Sequence, residues 1–157
     1  MPEATVRAEA VIEAPRETVW AVLADLPRYP EWNPFTVRVR STLRVGDPVD
    51  MRVMLHGVPH PQREWIRSVS HCEHICWGMH MLSPKLLRAE RWQTLETLGP
   101  DRTRYVSEDR LEGPLVPLVL RTYGGAMQRG FDALATALKH RAESMYDRRR
   151  RSQPVPA

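Results

Sequence analysis

The sequence predicts an α+β fold in which a curved antiparallel sheet of about seven strands wraps one long C-terminal helix. Three observations carry this. After an opening strand, six runs with period-two hydrophobicity follow one another, separated by turn signals too short for crossover helices. The chain then closes on apolar residues spaced by threes and fours over more than twenty positions, which is one stripe of a long helix. Finally, a sheet with one apolar face and a helix with one apolar stripe each need a partner, and here each finds the other.

The elements follow in order. Residues 5–13 (TVRAEAVIE) alternate, with Val6, Ala8, Ala10 and Ile12 on one face, and form the first strand. Pro15 opens a helix at a position where its missing N–H costs nothing; Val19, Val22, Leu23 and Leu26 make the buried stripe, and Pro27 helps to end it. The next stretch, LPRYPEWNPF at 26–35, holds three prolines, which forbid a regular helix or a central strand. Yet Tyr29, Trp32 and Phe35 bring too much apolar surface for a solvated loop, so the segment must pack around something. Strands are expected at 36–43, 48–55, 62–70, 73–81, 86–98 and 102–111, broken at Gly46-Asp47-Pro48, at Gly57 with Pro59 and Pro61, at Ser83-Pro84 and at Gly99-Pro100-Asp101. The long helix is expected from Tyr123, with Met127, Phe131, Leu134, Leu138, Ala142 and Met145 on its stripe. Gly124, Gly125 and Gly130 interrupt it early, each at about 1 kcal/mol relative to alanine. They imply a kink, a close approach by another backbone, or room for a ligand.

At 157 residues the chain suits one domain, expected over 1–147, and such a domain buries roughly 70% of its unfolded surface. Residues 148–157 are expected to be a basic, disordered tail. Hydrophobic residues make up 42% and charged residues 27%, which excludes disordered and fibrous classes. No apolar run reaches the roughly 18 residues of a membrane span, and MPEATVRAE lacks the pattern of a signal peptide, so a soluble, cytoplasmic protein is expected. Arg148 to Arg151 alone account for the formal charge of +4, which reads as a solvated helix end and not as a nucleic-acid surface. Cys72 and Cys76, on a strand, would stand roughly 13 Å apart at about 3.3 Å per residue, too far for a disulfide, and are expected as free thiols.

APRETVWAVLADLPRYPEWNPF resembles the opening of the START-like (SRPBCC, Bet v 1-like) proteins, in particular the polyketide cyclase/dehydrase branch. Gly46 in the turn after the second strand, Trp77 in HICW, LETLGPDRTRY, LEGPL and ALKHRAE in the final helix extend the resemblance over residues 5–145. It implies a helix-grip domain with two short helices after the first strand, the second being a helical corner at one end of an internal cavity. Tyr29, Trp32 and Phe35 would then pack over the cavity mouth or plug the core. The same fold hosts carriers, receptors, regulators and cyclases.

Strand parities, oriented by the resemblance, nominate the lining. Ile75, Trp77, Met79 and Met81 share one parity, a Trp and two Met residues that suit either an adaptable apolar wall or ordinary core. Trp65, Arg67 and Val69 share another; Arg91, Gln93 and Leu95 a third; Tyr105, Ser107, Asp109 and Leu111 a fourth. If these face inward, Arg67, Arg91, Tyr105 and Asp109 are the candidate catalytic residues. Tyr29, Trp32, Phe35, Trp65, Trp77, Met79, Gln93, Tyr123, Met127 and Phe131 are then the candidate ligand contacts. Many relatives carry His and Phe where this chain has Arg91 and Gln93. Arg91 and Asp109 form either a structural ion pair or a polar clamp, in which the arginine fork stabilises an enolate oxygen while Tyr105 or Asp109 moves the proton.

HCEHICWGMH places Cys72, His74, Cys76 and His80 on one strand face, a span too extended for one tetrahedral metal, so no metal site is expected. No phosphate-cradling glycine loop and no GxSxG elbow occurs, so no cofactor is expected either. The leading functional expectation is a polyketide cyclase/dehydratase-like enzyme that folds a hydrophobic substrate in a shaped cavity. The competing one is a non-catalytic carrier or sensor of a lipid or aromatic metabolite. The expected partner is a hydrophobic small molecule, with an acyl carrier protein or a second copy of the chain as further candidates, and with neither nucleic acid nor membrane insertion.

Overall fold

The computed structural model describes residues 1–153. Seven strands, β1 (Glu3–Ile12), β2 (Thr36–Arg40), β3 (Pro48–Leu55), β4 (Val58–Ser70), β5 (His74–His80), β6 (Arg88–Gly99) and β7 (Arg102–Glu112), form one sheet in the order β1-β7-β6-β5-β4-β3-β2. Every neighbouring pair is antiparallel. Only β1 departs from the meander, because helix α1 (Arg16–Leu23) and a 3-10 turn (Leu26–Glu31) carry the chain from one edge of the sheet to the other. Pro15 caps α1, and Thr18, Val19, Trp20, Val22 and Leu23 are its buried side.

The proline-aromatic segment is a core plug with one residue turned toward open space. Tyr29 is 1% exposed; its hydroxyl donates to the Leu23 carbonyl at 2.6 Å, and its ring meets Trp32 edge-on at 5.1 Å. Asn33, held before Pro34, accepts through Oδ1 from the N–H groups of Phe35 (3.0 Å) and Thr36 (2.8 Å). That local turn satisfies donors that the prolines leave without a ladder, and it aims Phe35 at the long helix.

Two features of β4 shape the interior. The strand begins at Val58, earlier than the sequence suggests, and includes Pro59 and Pro61. Residues 58–64 pair with β3 alone, since the β4–β5 ladder runs only from Ser70–His74 to Trp65–Gly78. Proline is tolerated on such a free edge. A β-bulge between Ile66 and Ser68 also shifts the register, so side chains on its two sides do not keep one parity.

A continuous helical run closes the concave face. It starts at Val116 and not at Tyr123, because Pro117 occupies the first turn, where its missing N–H is not needed. A first α-helical turn, α2 (Val116–Val119), leads through a π-helical turn (Leu120–Gly124) into α3 (Gly125–Ser152). The arginine run is therefore the last turn of α3, not a separate tail, and its charges sit where the helix dipole favours them. The remainder of the expected tail, residues 154–157, lies outside the described residues. α3 buries Phe131, Leu134, Ala135, Leu138 and Ala142, chiefly over β1 and α1.

Gly130 records a close approach: a Cβ there would collide with the Phe35 ring, which stacks edge-on against Phe131 at 5.1 Å. Gly130→Ala is expected to destabilise the protein by about 1–3 kcal/mol in urea unfolding, overpacking outweighing the roughly 1 kcal/mol of helix propensity gained. A more stable variant would show that the Phe35 ring yields without cost.

Candidate functional site

Beyond the point where β4 and β5 part, the sheet and the helical run enclose a cavity of about 410 Å³. That lies within the roughly 300–1,000 Å³ of small-molecule sites. Its apolar walls come from Phe35, from Met51, Val53 and Leu55 of β3, from Trp77, Met79 and Met81, from Leu87, Ala89 and Leu111, and from Val119, Met127 and Phe131 of the helical run. Inward-facing alternate residues of β3, β5, β6 and β7 produce this surface, and the methionines give it adaptable shape.

Polar groups also line that wall. His60, Gln62 and Glu64 come from the stretch of β4 that β5 does not pair, Arg91 from β6, Asp109 from β7 and Tyr123 from the π-helical turn. Arg91, only 5% exposed, donates from Nε to Ser107 Oγ at 3.1 Å and lies with its Cζ 4.3 Å from the Phe131 ring centroid. Among the described residues its Nη2 has no partner, and neither has Oδ1 of Asp109, although both atoms are buried. The two residues are direct cross-strand partners, yet no hydrogen bond or ion pair joins them. The structural ion pair that the sequence allowed is thus replaced by a serine and a cation–π contact.

Burial sets the protonation of the carboxyls. Glu64 accepts from Gln62 Nε2 at 2.7 Å, and its pKa is pushed up to about 8 by desolvation and by the nearby Asp109 charge. Asp109 is raised to about 6 by desolvation, against which Arg91 acts. Burial thus favours the protonated form of both carboxyls, and more strongly for Glu64 than for Asp109, which sets the better proton holder beside the better base within one cavity.

Of the residues nominated from sequence, Phe35, Trp77, Met79, Arg91, Asp109, Tyr123, Met127 and Phe131 line the cavity. Trp65 and Arg67 do not: the bulge at 66–68 turns Val69 inward but leaves these two on the outer face, where Arg67 is exposed. Tyr105 and Gln93 face inward but lie in the packed core, the tyrosine hydroxyl donating to Gln93 Oε1 at 2.7 Å. Tyr29 and Trp32 belong to the core plug described above, not to the lining. Glu64 is the residue that sequence reasoning missed; the signal was available in its alternation with Ile66, on the parity opposite to Trp65. Cys72 sits in the β4–β5 turn with a left-handed backbone and not on a strand face, and both cysteines are free. Among the described residues no three His, Cys, Asp or Glu side chains converge as a metal would require. No helix among them is long and apolar enough to cross a membrane.

A seven-stranded sheet gripping one helix around a partly polar cavity defines a helix-grip, START-like domain. The chain belongs to the family described as polyketide cyclase/dehydrase and lipid transport, whose model matches residues 3–143. Among solved structures, the Zhui aromatase/cyclase from Streptomyces sp. R1128 superimposes with a TM-score of 0.75 at 18% identity, over 96% of this chain and 98% of that one. A START superfamily protein from Mycobacterium smegmatis gives 0.66 at 20% identity, over 90% and 98%. A norcoclaurine synthase point mutant from Thalictrum flavum, in complex with a transition-state analogue, gives 0.67 at 15% identity, over 92% and 96%. At these identities the likeness is one of fold. A comparison of the sequence with curated proteins finds no match.

The carboxyl burial has a measurable consequence. Glu64 binds its proton more tightly folded than unfolded, so between about pH 4.5 and 8 stability falls as pH rises and the unfolded state releases that proton more readily. Glu64→Gln keeps an acceptor for Gln62 and cannot ionise. It is expected to melt close to wild type near pH 5 and to be more stable by about 2–4 kcal/mol above pH 8. A difference between the two proteins that does not change with pH would contradict a buried, proton-holding Glu64.

Proposed function

We propose that the protein binds a poly-β-ketone or related aromatic-forming substrate in this cavity and promotes its cyclisation and dehydration. The observation that carries the reading is the pair Arg91 and Asp109, an arginine and a carboxyl that face each other across β6 and β7 on the lining of a mostly apolar cavity and share no hydrogen bond or ion pair. Buried charged groups are normally paired with each other, and two that are not, on the lining of a cavity, suit a polar ligand.

In this reading the apolar walls fold the chain so that two of its carbons meet, and proximity of that kind contributes about 7–11 kcal/mol to an intramolecular step. Arg91 donates to a ketone oxygen, which becomes more negative as Asp109 removes a proton from the neighbouring carbon. The enolate carbon attacks a second ketone and closes the ring. Glu64, holding a proton, delivers it to the new alkoxide. In the dehydration the ionised Glu64 takes a second proton from the ring carbon while the protonated Asp109 gives its proton to the hydroxyl, which leaves as water, and both carboxyls return to their starting states. The reading is consistent with membership of a family described as polyketide cyclase/dehydrase and lipid transport, and an aromatase/cyclase stands among the proteins of like fold.

The test is ring closure followed by the absorbance of the aromatic product with reactive poly-β-ketone substrates. Arg91→Met is expected to lower kcat/KM by about 100-fold or more, the usual cost of removing one oxyanion donor. Substrate affinity should fall far less. Retention of unchanged substrate in a stoichiometric complex, with no acceleration over buffer by the wild type, would favour the carrier reading.

A further inference from the structure

On the outer face of the sheet, away from the cavity, Arg7 of β1 meets Glu9 at 2.9 Å, and Arg104 and Arg110 of β7 meet Glu96 and Glu108 at 3.0 and 2.9 Å. The other end of the same face lacks this balance. Arg38 and Arg40 of β2, Arg52 of β3 and Arg63 of β4 line one open groove in which Asp50 is the single carboxylate. Asp50 is taken up by Arg63, whose Nε and Nη2 donate to its two oxygens at 2.6 and 3.1 Å. Among the described residues Arg38, Arg40 and Arg52 hold no hydrogen bond or ion pair, and all three are exposed.

The backbone brings these charges together. A bulge between Thr36 and Arg38 shifts the β2–β3 register, so that Arg38 stands directly opposite Arg52, with Arg40 opposite Asp50. Without the extra residue Arg38 would fall opposite Met51, whose side chain is buried, and would turn to the inner face. Like charges directly opposite one another destabilise a sheet, and an anion between them reverses the sign of that contact. Charges on an edge strand also guard it against pairing with another chain, but that role does not need two arginines face to face. Asp50 shows why a carboxylate is a poor occupant: one arginine fork uses both of its oxygens. A group that answers Arg38, Arg52 and Arg40 together needs more oxygens, which a phosphate has and a diphosphate has in excess.

We infer that the outer face of β2 and β3 is a second binding site, for the phosphate or diphosphate group of a small molecule. It does not rest on the chemistry proposed for the cavity, although Met51, Pro61, Gln62 and Arg63 line both the groove and the cavity.

Isothermal titration calorimetry of the full chain at pH 7 and low ionic strength tests this, with pyrophosphate set against citrate, a carboxylate anion of similar charge. Pyrophosphate is expected to bind more tightly than citrate by about tenfold or more. Arg38→Gln and Arg52→Gln should each weaken pyrophosphate binding by about tenfold, whereas Arg104→Gln, which removes a paired arginine from the same face, should leave it within about twofold. Circular dichroism checks the folding of each variant, and the wild-type ranking decides without any of them. No binding of pyrophosphate to the wild type, citrate binding as tightly, or an equal loss in Arg104→Gln would leave only diffuse charge attraction and overturn the site. A polyglutamate peptide that displaces pyrophosphate at lower concentration would assign the patch to an acidic protein surface. Capture on phosphatidate vesicles that pyrophosphate does not compete would assign it to a lipid surface, and either result overturns the small-molecule site.

Discussion

One helix cannot cover seven strands, and the rest of the structure follows from that mismatch. α3 spends its apolar stripe on β1 and α1, where Leu134, Ala135, Leu138 and Ala142 meet the first strand and the short helix. Farther toward β3, β4 and β5 the concave face outruns the helix. A sheet cannot leave so much apolar surface to water, so the gap is narrowed by Phe35 from the proline-aromatic plug and by Met127, Tyr123 and Val119 of the helical run. What stays open is a cavity whose position is set by sheet curvature and by the free edge that begins where β4 stops pairing with β5.

The polar groups in that cavity work against stability. A guanidinium and two carboxyls are held away from water where leucines would pack without penalty. The fold meets part of the cost through Ser107 and through the rings of Phe131 and Phe35, which lie 4.3 and 5.9 Å from the Arg91 guanidinium carbon. Glu64 meets its share by keeping its proton. Among the described residues nothing answers Arg91 Nη2 or Asp109 Oδ1, and the same two residues give the proposed chemistry its donor and its base.

Much of this was legible in the sequence, and for physical reasons. Alternation along β6 and β7 groups Arg91 with Gln93 and Asp109 with Tyr105 on single faces, and the resemblance to the START-like family was needed to turn those faces inward. Gly130 left a kink, a close approach and ligand room open, and the Phe35 ring makes it a close approach; the prolines around Tyr29 left cavity mouth and core plug open, and Tyr29 is buried in the core while Phe35 reaches the cavity. Parity failed on β4, where one extra residue at the bulge reverses the faces; nothing in IRS marks that extra residue, and Arg67 and Glu64 exchanged sides as a result. Depth was also illegible. Alternation tells inside from outside but not core from cavity, which is why Tyr105 and Gln93 were nominated alongside Arg91 and then proved to satisfy each other.

The central claim is that Arg91 and Asp109 are neighbours kept apart, available to a ligand and not to one another. A double-mutant cycle on folding stability tests this directly, with Arg91→Met, Asp109→Asn and the combination measured by urea unfolding of the ligand-free protein. The account predicts a coupling below about 1 kcal/mol, the residue of long-range attraction between groups that share no hydrogen bond. A coupling of about 3 kcal/mol or more, the cost of breaking a buried ion pair, would show that the two residues serve the fold and would remove the ligand clamp from the cavity.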